Sequence, residues 1–216
     1  MEILFVTDFV CPYCLVAKEA LLRALEQTGI EAEIILQPFE LTPEDRPRVD
    51  TWNDQRRREG YKRLVEPCEK LGLPMKLPPH VVPRPYTRLA FEGWFFAEAQ
   101  GKGDAYADAA YKAYFYDEQD LENLTVLTGL AEKAGLDRNA FLDALEKGTY
   151  RKQQQEAAAF SRNVLKVTGV PAIYLNGKKI APSEYSVEEM AALLRGAEAA
   201  GPGLSCGEDG CDLIQV

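Results

Sequence analysis

The sequence predicts an α/β fold whose sheet is interrupted by a large all-helical insertion. Three observations predict it. Strand texture with a helix between fills the first forty or so residues, strand texture then vanishes until residues 172–175, and the stretch between has helical spacing closed by glycines. At roughly 150 residues per domain, 216 residues suit one large domain or one domain elaborated by an insertion.

Each element has a local reason. Residues 3–7, Ile-Leu-Phe-Val-Thr, are a short apolar run rich in strand formers, the pattern of a strand buried on both faces. Beyond Cys11 the spacing turns helical: Cys14, Ala17, Leu21 and Leu25 share a stripe, and Gly29 supplies a stop. Residues 30–36 alternate with a period of two and read as a second strand. The opening is thus a βαβ unit with parallel strands and a right-handed crossover. Pro38, Pro43 and Pro47 punctuate a loop, residues 50–71 read as a polar helix ending near Gly72, and residues 74–85 form a proline-rich connection.

Helical spacing returns over 86–100, with Phe91, Trp94 and Phe95, and over 104–116, with Tyr106, Ala110, Ala113 and Tyr114. Asn123 can cap a helix that stops at Gly135. Asp137 can cap the next, with Leu136 and Phe141 at the two positions of a hydrophobic staple and Gly148 at the end. A long helix over 150–167 leads to Gly169. Residues 172–175 and 178–180 flank Asn176-Gly177, the strongest two-residue hairpin signal. The capping box Ser186-Val187-Glu188-Glu189 opens the last helix, which fades at Gly201-Pro202.

Composition excludes several function classes. Hydrophobic residues make 46% and charged residues 27%, a globular profile. The formal charge of −9 argues against phosphate-backbone binding, so no nucleic-acid partner is expected. Arg56-Arg57-Arg58, flanked by Asp54 and Glu59, reads as a solvated helix face. No window approaches the roughly 18 apolar residues of a span, so no membrane is expected either. The first dozen residues lack a basic start and a small-residue cleavage site, and a cytoplasmic location is expected. Five cysteines are an odd number and too few for a disulfide scaffold; in the cytosol, paired cysteines tend to be catalytic or metal-binding.

Cys11-Pro12-Tyr13-Cys14 sits where the first strand hands over to the first helix. A helix N-terminus favours a thiolate through its unpaired N–H groups and dipole, and Pro12 suits the first turn because it lacks an N–H. Cys11 is the expected exposed attacker and Cys14, on the buried stripe, the resolving thiol. The alternatives are half of a zinc site or two unrelated thiols. Zinc needs two more ligands, which His80 alone cannot supply but Cys206 and Cys211 could. His80 reads as a surface-loop residue and Cys68 as a semi-buried one. Gly169-Val170-Pro171-Ala172 holds a proline just before a strand, either a simple strand start or a cis bond facing the thiols.

Taken together, strand, C-P-x-C helix, helical insertion and G-V-P before a hairpin resemble the DsbA-like branch of the thioredoxin superfamily, and more narrowly FrnE-type dithiol–disulfide oxidoreductases. The matching stretches are Asp8 through Cys14, Tyr86 through Phe91, Ala97 through Lys102, Ala113-Tyr114-Phe115, Ala134 through Asp137 and Gly169 through Ile173. The resemblance implies a thioredoxin-fold domain at 1–40 and 165–200 and an inserted helical domain at 41–164; residues 201–216, beyond the last helix, read as a cysteine-containing tail. It implies a cis proline beside the dithiol and substrate docking against the segment ending at Val170, which makes Pro12, Tyr13, Val170 and Pro171 candidate substrate contacts. It implies no bound cofactor, and as partners protein thiols and disulfides or small thiols such as glutathione.

This chain departs from the pattern at Pro12-Tyr13, the dipeptide of glutaredoxins, and at Ala181-Pro182-Ser183-Glu184, where relatives carry a small-residue segment. Asp8, three residues before Cys11, is a candidate proton acceptor for the buried thiol or a residue that fixes the turn. Cys206 and Cys211 are a candidate second redox pair. Two competing readings stand beside the oxidoreductase: a glutathione-dependent transferase or isomerase like the kappa class, and a redox or zinc sensor using both cysteine pairs.

Overall fold

The computed structural model describes residues 1–201. It opens with β1 (Glu2–Thr7), α1 (Pro12–Thr28) and β2 (Glu33–Pro38). β1 and β2 pair in parallel, from Glu2 against Glu33 to Thr7 against Pro38. The second strand therefore starts three residues later than its alternation suggests. Ile30, which began that pattern, is instead a core residue packed with α1. Pro38 can close the strand because β2 lies at the sheet edge, where no ladder needs its missing N–H.

Seven helices follow: α2 (Gln55–Lys62), α3 (Val65–Lys70), α4 (Arg88–Glu98), α5 (Gly103–Phe115), α6 (Leu124–Lys133), α7 (Arg138–Lys147) and α8 (Arg151–Asn163). The single helix expected over 50–71 is two. In a continuous helix Pro67 would clash with the preceding turn and break a hydrogen bond, whereas near the start of α3 its N–H would have had no helical partner. Asn123 and Asp137 cap α6 and α7 through the N–H groups of Thr125 and Ala140, and Leu136 and Phe141 share one core as a staple requires. α8 ends at Asn163 rather than near 167, and Lys166 adopts a φ of 53° as the chain turns toward the sheet.

The sheet resumes with β3 (Ala172–Leu175) and β4 (Lys178–Ile180), and α9 (Val187–Ala200) closes the described chain. Strand order is β2-β1-β3-β4, with β3 antiparallel to both neighbours. Asn176 and Gly177 both take positive φ, 47° and 78°, as a tight hairpin with the sheet's twist demands. Ser186 caps α9 by accepting from Glu189 N–H, but the capping box is only half made. The Glu189 carboxylate turns away and accepts from the N–H groups of Ser183 and Glu184 and from the Ser183 hydroxyl.

Alternation along β1 divides the core. Ile3 and Phe5 face α1 and α9, while Val6 points to the other side with Phe39, Val167, Ala172 and Tyr174. α8 seals that second face: Gln37 donates to the Ala157 carbonyl at 2.7 Å, and the Ser161 hydroxyl donates to the Pro38 carbonyl at 2.7 Å. The helices α4 to α7 bury Phe91, Tyr106, Tyr111, Tyr114 and Phe141 in a third cluster that reaches Phe9, Cys11 and Cys14. Gly93 permits this packing, since a Cβ there would sit 2.5 Å from the Tyr106 hydroxyl. Among the described residues no helix is long and apolar enough to cross a membrane.

Candidate active site

Cys11 is the N-cap of α1, with extended backbone angles, and Pro12 occupies the first helical turn. Two backbone bonds fix the approach: Cys11 N–H donates to the Asp8 carbonyl at 3.0 Å, and Cys14 N–H donates to the Cys11 carbonyl at 3.1 Å. The Cys11 thiol donates to the Val170 carbonyl at 3.4 Å, so the loop entering β3 lies against the sulfur. The Val170–Pro171 bond in that loop is cis. One expectation needs correcting: Cys11 is not exposed. Only 3% of its surface is accessible, because the loop entering β3 lies across it and it packs into the helical core.

Cys14 is wholly buried. Burial pushes its thiol well above the ordinary range, and the neighbouring Cys11 sulfur adds to the rise. A hydrogen bond from the Thr7 side chain and the Asp8 backbone N–H pull the other way. Thr7 in turn is hydrogen-bonded to the Tyr111 hydroxyl of α5, and both residues are fully buried. Sequence reasoning missed Thr7 and Tyr111. The signal for Thr7 was available: it is in phase with Ile3 and Phe5, so its side chain must face α1. Nothing in the sequence indicates Tyr111, which arrives from another part of the chain.

Asp8 is fully buried as well. Its carboxylate accepts from Leu41 N–H at 2.7 Å and from Val10 N–H at 3.5 Å, tying the turn after β1 to the chain leaving β2. Burial raises its pKa, against the pull of the Leu41 N–H, the Arg84 guanidinium, Thr87 and the Val10 N–H. The turn-fixing contact is therefore in place.

Tyr13 reaches sideways and donates to the Gly60 carbonyl at 2.9 Å. It forms one wall of a groove of about 630 Å³ whose other walls include Arg63, Lys70, Tyr185, Ser186 and Glu188. Burial, with the Cys14 and Cys11 sulfurs and Tyr13 adding smaller pushes, raises Tyr185 to about 12. The helical segments α2 and α3 thus face the start of α1 across a cleft whose rim carries Arg63, the Lys70–Glu66 ion pair, Glu184 and Glu188.

His80 and Cys68 lie apart from this pair. His80 is exposed and packs against Trp52, ring centres 4.6 Å apart. Cys68 is buried beside the Met75 thioether at 3.5 Å. Cys206 and Cys211 lie outside the described residues. Among the described residues no three of His, Cys, Asp and Glu converge on a metal-sized site.

Sheet order, a dithiol at a helix start and a cis proline against the first sulfur together define a thioredoxin-fold protein. A model of the DSBA-like thioredoxin domain matches residues 2–195. The uncharacterized protein YwbO of Bacillus subtilis is 37% identical over 177 residues, covering 82% of this chain and 86% of its own. The chain belongs to the DsbA-like thioredoxin family of thiol–disulfide oxidoreductases. Among solved structures, a probable DsbA oxidoreductase from Streptomyces coelicolor superposes with a TM-score of 0.79 at 23% identity, all of both chains being covered. The cytosolic disulfide reductase DsbM from Pseudomonas aeruginosa gives a TM-score of 0.69 at 16% identity, covering 93% of this chain and 100% of its own. A 2-hydroxychromene-2-carboxylate isomerase shares the fold at 0.69 and 18% identity, covering 93% and 95%.

Proposed function

We propose that the chain is a cytosolic enzyme that exchanges disulfides through Cys11 and Cys14. The observation that carries this reading is the Cys11 sulfur at the cap of α1, 3.4 Å from the Val170 carbonyl beside the cis Pro171. As a thiolate Cys11 attacks one sulfur of a substrate disulfide; that S–S bond breaks, the first substrate thiolate leaves, and a mixed disulfide remains. Cys14, deprotonated, attacks the Cys11 sulfur, the second substrate thiolate leaves, and the Cys11–Cys14 disulfide results. Run backwards, the same steps oxidise a substrate dithiol.

Pro12, Tyr13, Val170 and Pro171 frame the approach to the sulfur. The domain division at 1–40 and 165–200 against 41–164 puts the substrate cleft between the two parts. Protein disulfides and small thiols such as glutathione are the substrate class. Arg63 is the cation on the groove that suits a thiol carrying carboxylates, since Lys70 is paired with Glu66 at 2.7 Å and Glu184 and Glu188 also line the walls; a structure of DsbM was solved with GSH. Insulin reduction with dithiothreitol as the reductant tests the reading. The wild-type chain should accelerate precipitation, and Cys11→Ser should fall to the background rate; equal activity in the two proteins would end the claim.

A further inference from the structure

We propose that Thr7 and Tyr111 form a two-hydroxyl relay of hydrogen bonds that stabilises the buried sulfur of Cys14 as it becomes the attacking anion. This rests on the dithiol reading above and goes one residue shell deeper.

Cys14 has no water to solvate a negative charge, since it is wholly buried. A buried anion without donors is strongly disfavoured. The donors available are specific. Thr7, last residue of β1 and in phase with Ile3 and Phe5, turns its hydroxyl to the Cys14 sulfur, and Asp8 adds its backbone N–H. The Thr7 oxygen also meets the Tyr111 hydroxyl. A hydroxyl has one proton to give. If Tyr111 donates to Thr7, the Thr7 proton is left for the sulfur, and charge-assisted bonds of this kind are roughly twice as strong as neutral ones. The ionisable groups facing Cys14 are the Cys11 thiol at the start of α1, Tyr111 from α5, and Tyr185 from the loop before α9. None of these is a cation that could replace the relay.

In the resolving step the Cys14 thiol loses its proton, finally to the departing substrate thiolate. The Cys14 sulfur bonds to Cys11, and the bond from Cys11 to the substrate sulfur breaks. Thr7 touches the reacting sulfur and is a catalytic residue; Tyr111 acts through Thr7 and is a positioning residue. Neither gives up its proton.

Ellman's reagent reads the two steps separately. With Cys68→Ala, Cys206→Ser and Cys211→Ser in place so that only the dithiol reports, attack by Cys11 releases one thionitrobenzoate; resolution by Cys14 releases the second, and Cys14→Ser identifies that phase by removing it. Thr7→Val should slow the second phase about tenfold relative to the first and move its pH profile about one unit higher. Thr7→Ser, which keeps the hydroxyl, should restore it, and Tyr111→Phe should show a smaller slowing in the same direction. If the second phase is present but its rate relative to the first, and its pH profile, are unchanged in both Thr7→Val and Tyr111→Phe, the relay is wrong. Should Thr7→Val fail to fold by circular dichroism, Tyr111→Phe alone decides. A wild-type second phase that survives Cys14→Ser would overturn the dithiol reading itself, a distinct outcome.

Discussion

In the first turn of α1, Pro12 precedes the buried Cys14; near the start of α3, Pro67 precedes the buried Cys68. Both prolines sit where helices tolerate them, and both sulfurs are shut away from water. Their neighbours differ. Cys14 has a second sulfur three residues earlier, the Thr7 side chain, and the Asp8 N–H. Cys68 has the thioether of Met75 at 3.5 Å, and burial alone raises its thiol, to about 11. Burial by itself makes a thiol inert. What marks the start of α1 as a reaction site is the partner sulfur at its own N-cap, the donors Thr7 and Asp8 at the end of β1, and the Val170 carbonyl before β3 that accepts from Cys11.

The largest effect that could break the comparison is kinetic. A rise from 9.0 to about 11 leaves Cys68 with about a hundredth of the thiolate of an ordinary thiol at neutral pH. Iodoacetamide should therefore alkylate Cys68 in the native chain about a hundredfold more slowly than a free cysteine peptide, with a rate that climbs tenfold per pH unit up to about 11. Mass-resolved alkylation of the native protein checks this. Alkylation at the peptide's rate would mean that the two first turns differ less than their surroundings indicate.

A smaller effect tests the apolar character of the α3 site. Cys68→Ser puts a hydroxyl, which needs a hydrogen-bond partner, where only a thioether waits. It should destabilise the fold by about 1–3 kcal/mol in urea titrations and leave disulfide exchange at the wild-type rate. Cys68→Ala should cost less than the serine variant, because it leaves no polar atom buried. Serine and alanine variants of equal stability would show that the site is wetter than Cys14's.

Legibility in the sequence followed the range of the forces involved. The C-x-x-C pair, Asn176-Gly177, the caps at Asn123 and Asp137 and the staple at Leu136 and Phe141 are local arrangements, readable within a few residues, and each is found in place. The break between α2 and α3 was also local, written in Pro67, and is visible once the preceding turn is considered. The boundary of β2 was not local: Ile30 alternates like a strand residue but is apolar because α1 packs on it. The burial of Cys11 and the arrival of Tyr111 depend on segments more than ninety residues away. No spacing rule reaches that far.

The smallest expected effect lies at the start of α9, which forms the third wall of the groove between α1 and α3. Glu189 leaves the capping box half made so that its carboxylate can hold the turn carrying Ser183 and Glu184, and with it Tyr185 beside the dithiol. Slight burial pushes this carboxyl up, but the N–H groups and hydroxyl that it accepts outweigh that, and its pKa lies below 4.5 in the folded chain. The unfolded chain then binds the proton more tightly than the folded one. The stabilisation is accordingly present above the unfolded value and is lost as pH falls through the folded value. Glu189→Gln keeps the size of the side chain but forfeits the charge and one of its two acceptor oxygens. It should lower stability by about 1 kcal/mol at pH 7, a figure already reduced for partial exposure. The gap between wild type and variant should narrow as titrations move into acid below pH 4. A gap that stays constant with pH would mean that the turn is held by shape rather than by the carboxylate, and the wall of the groove would then owe nothing to charge.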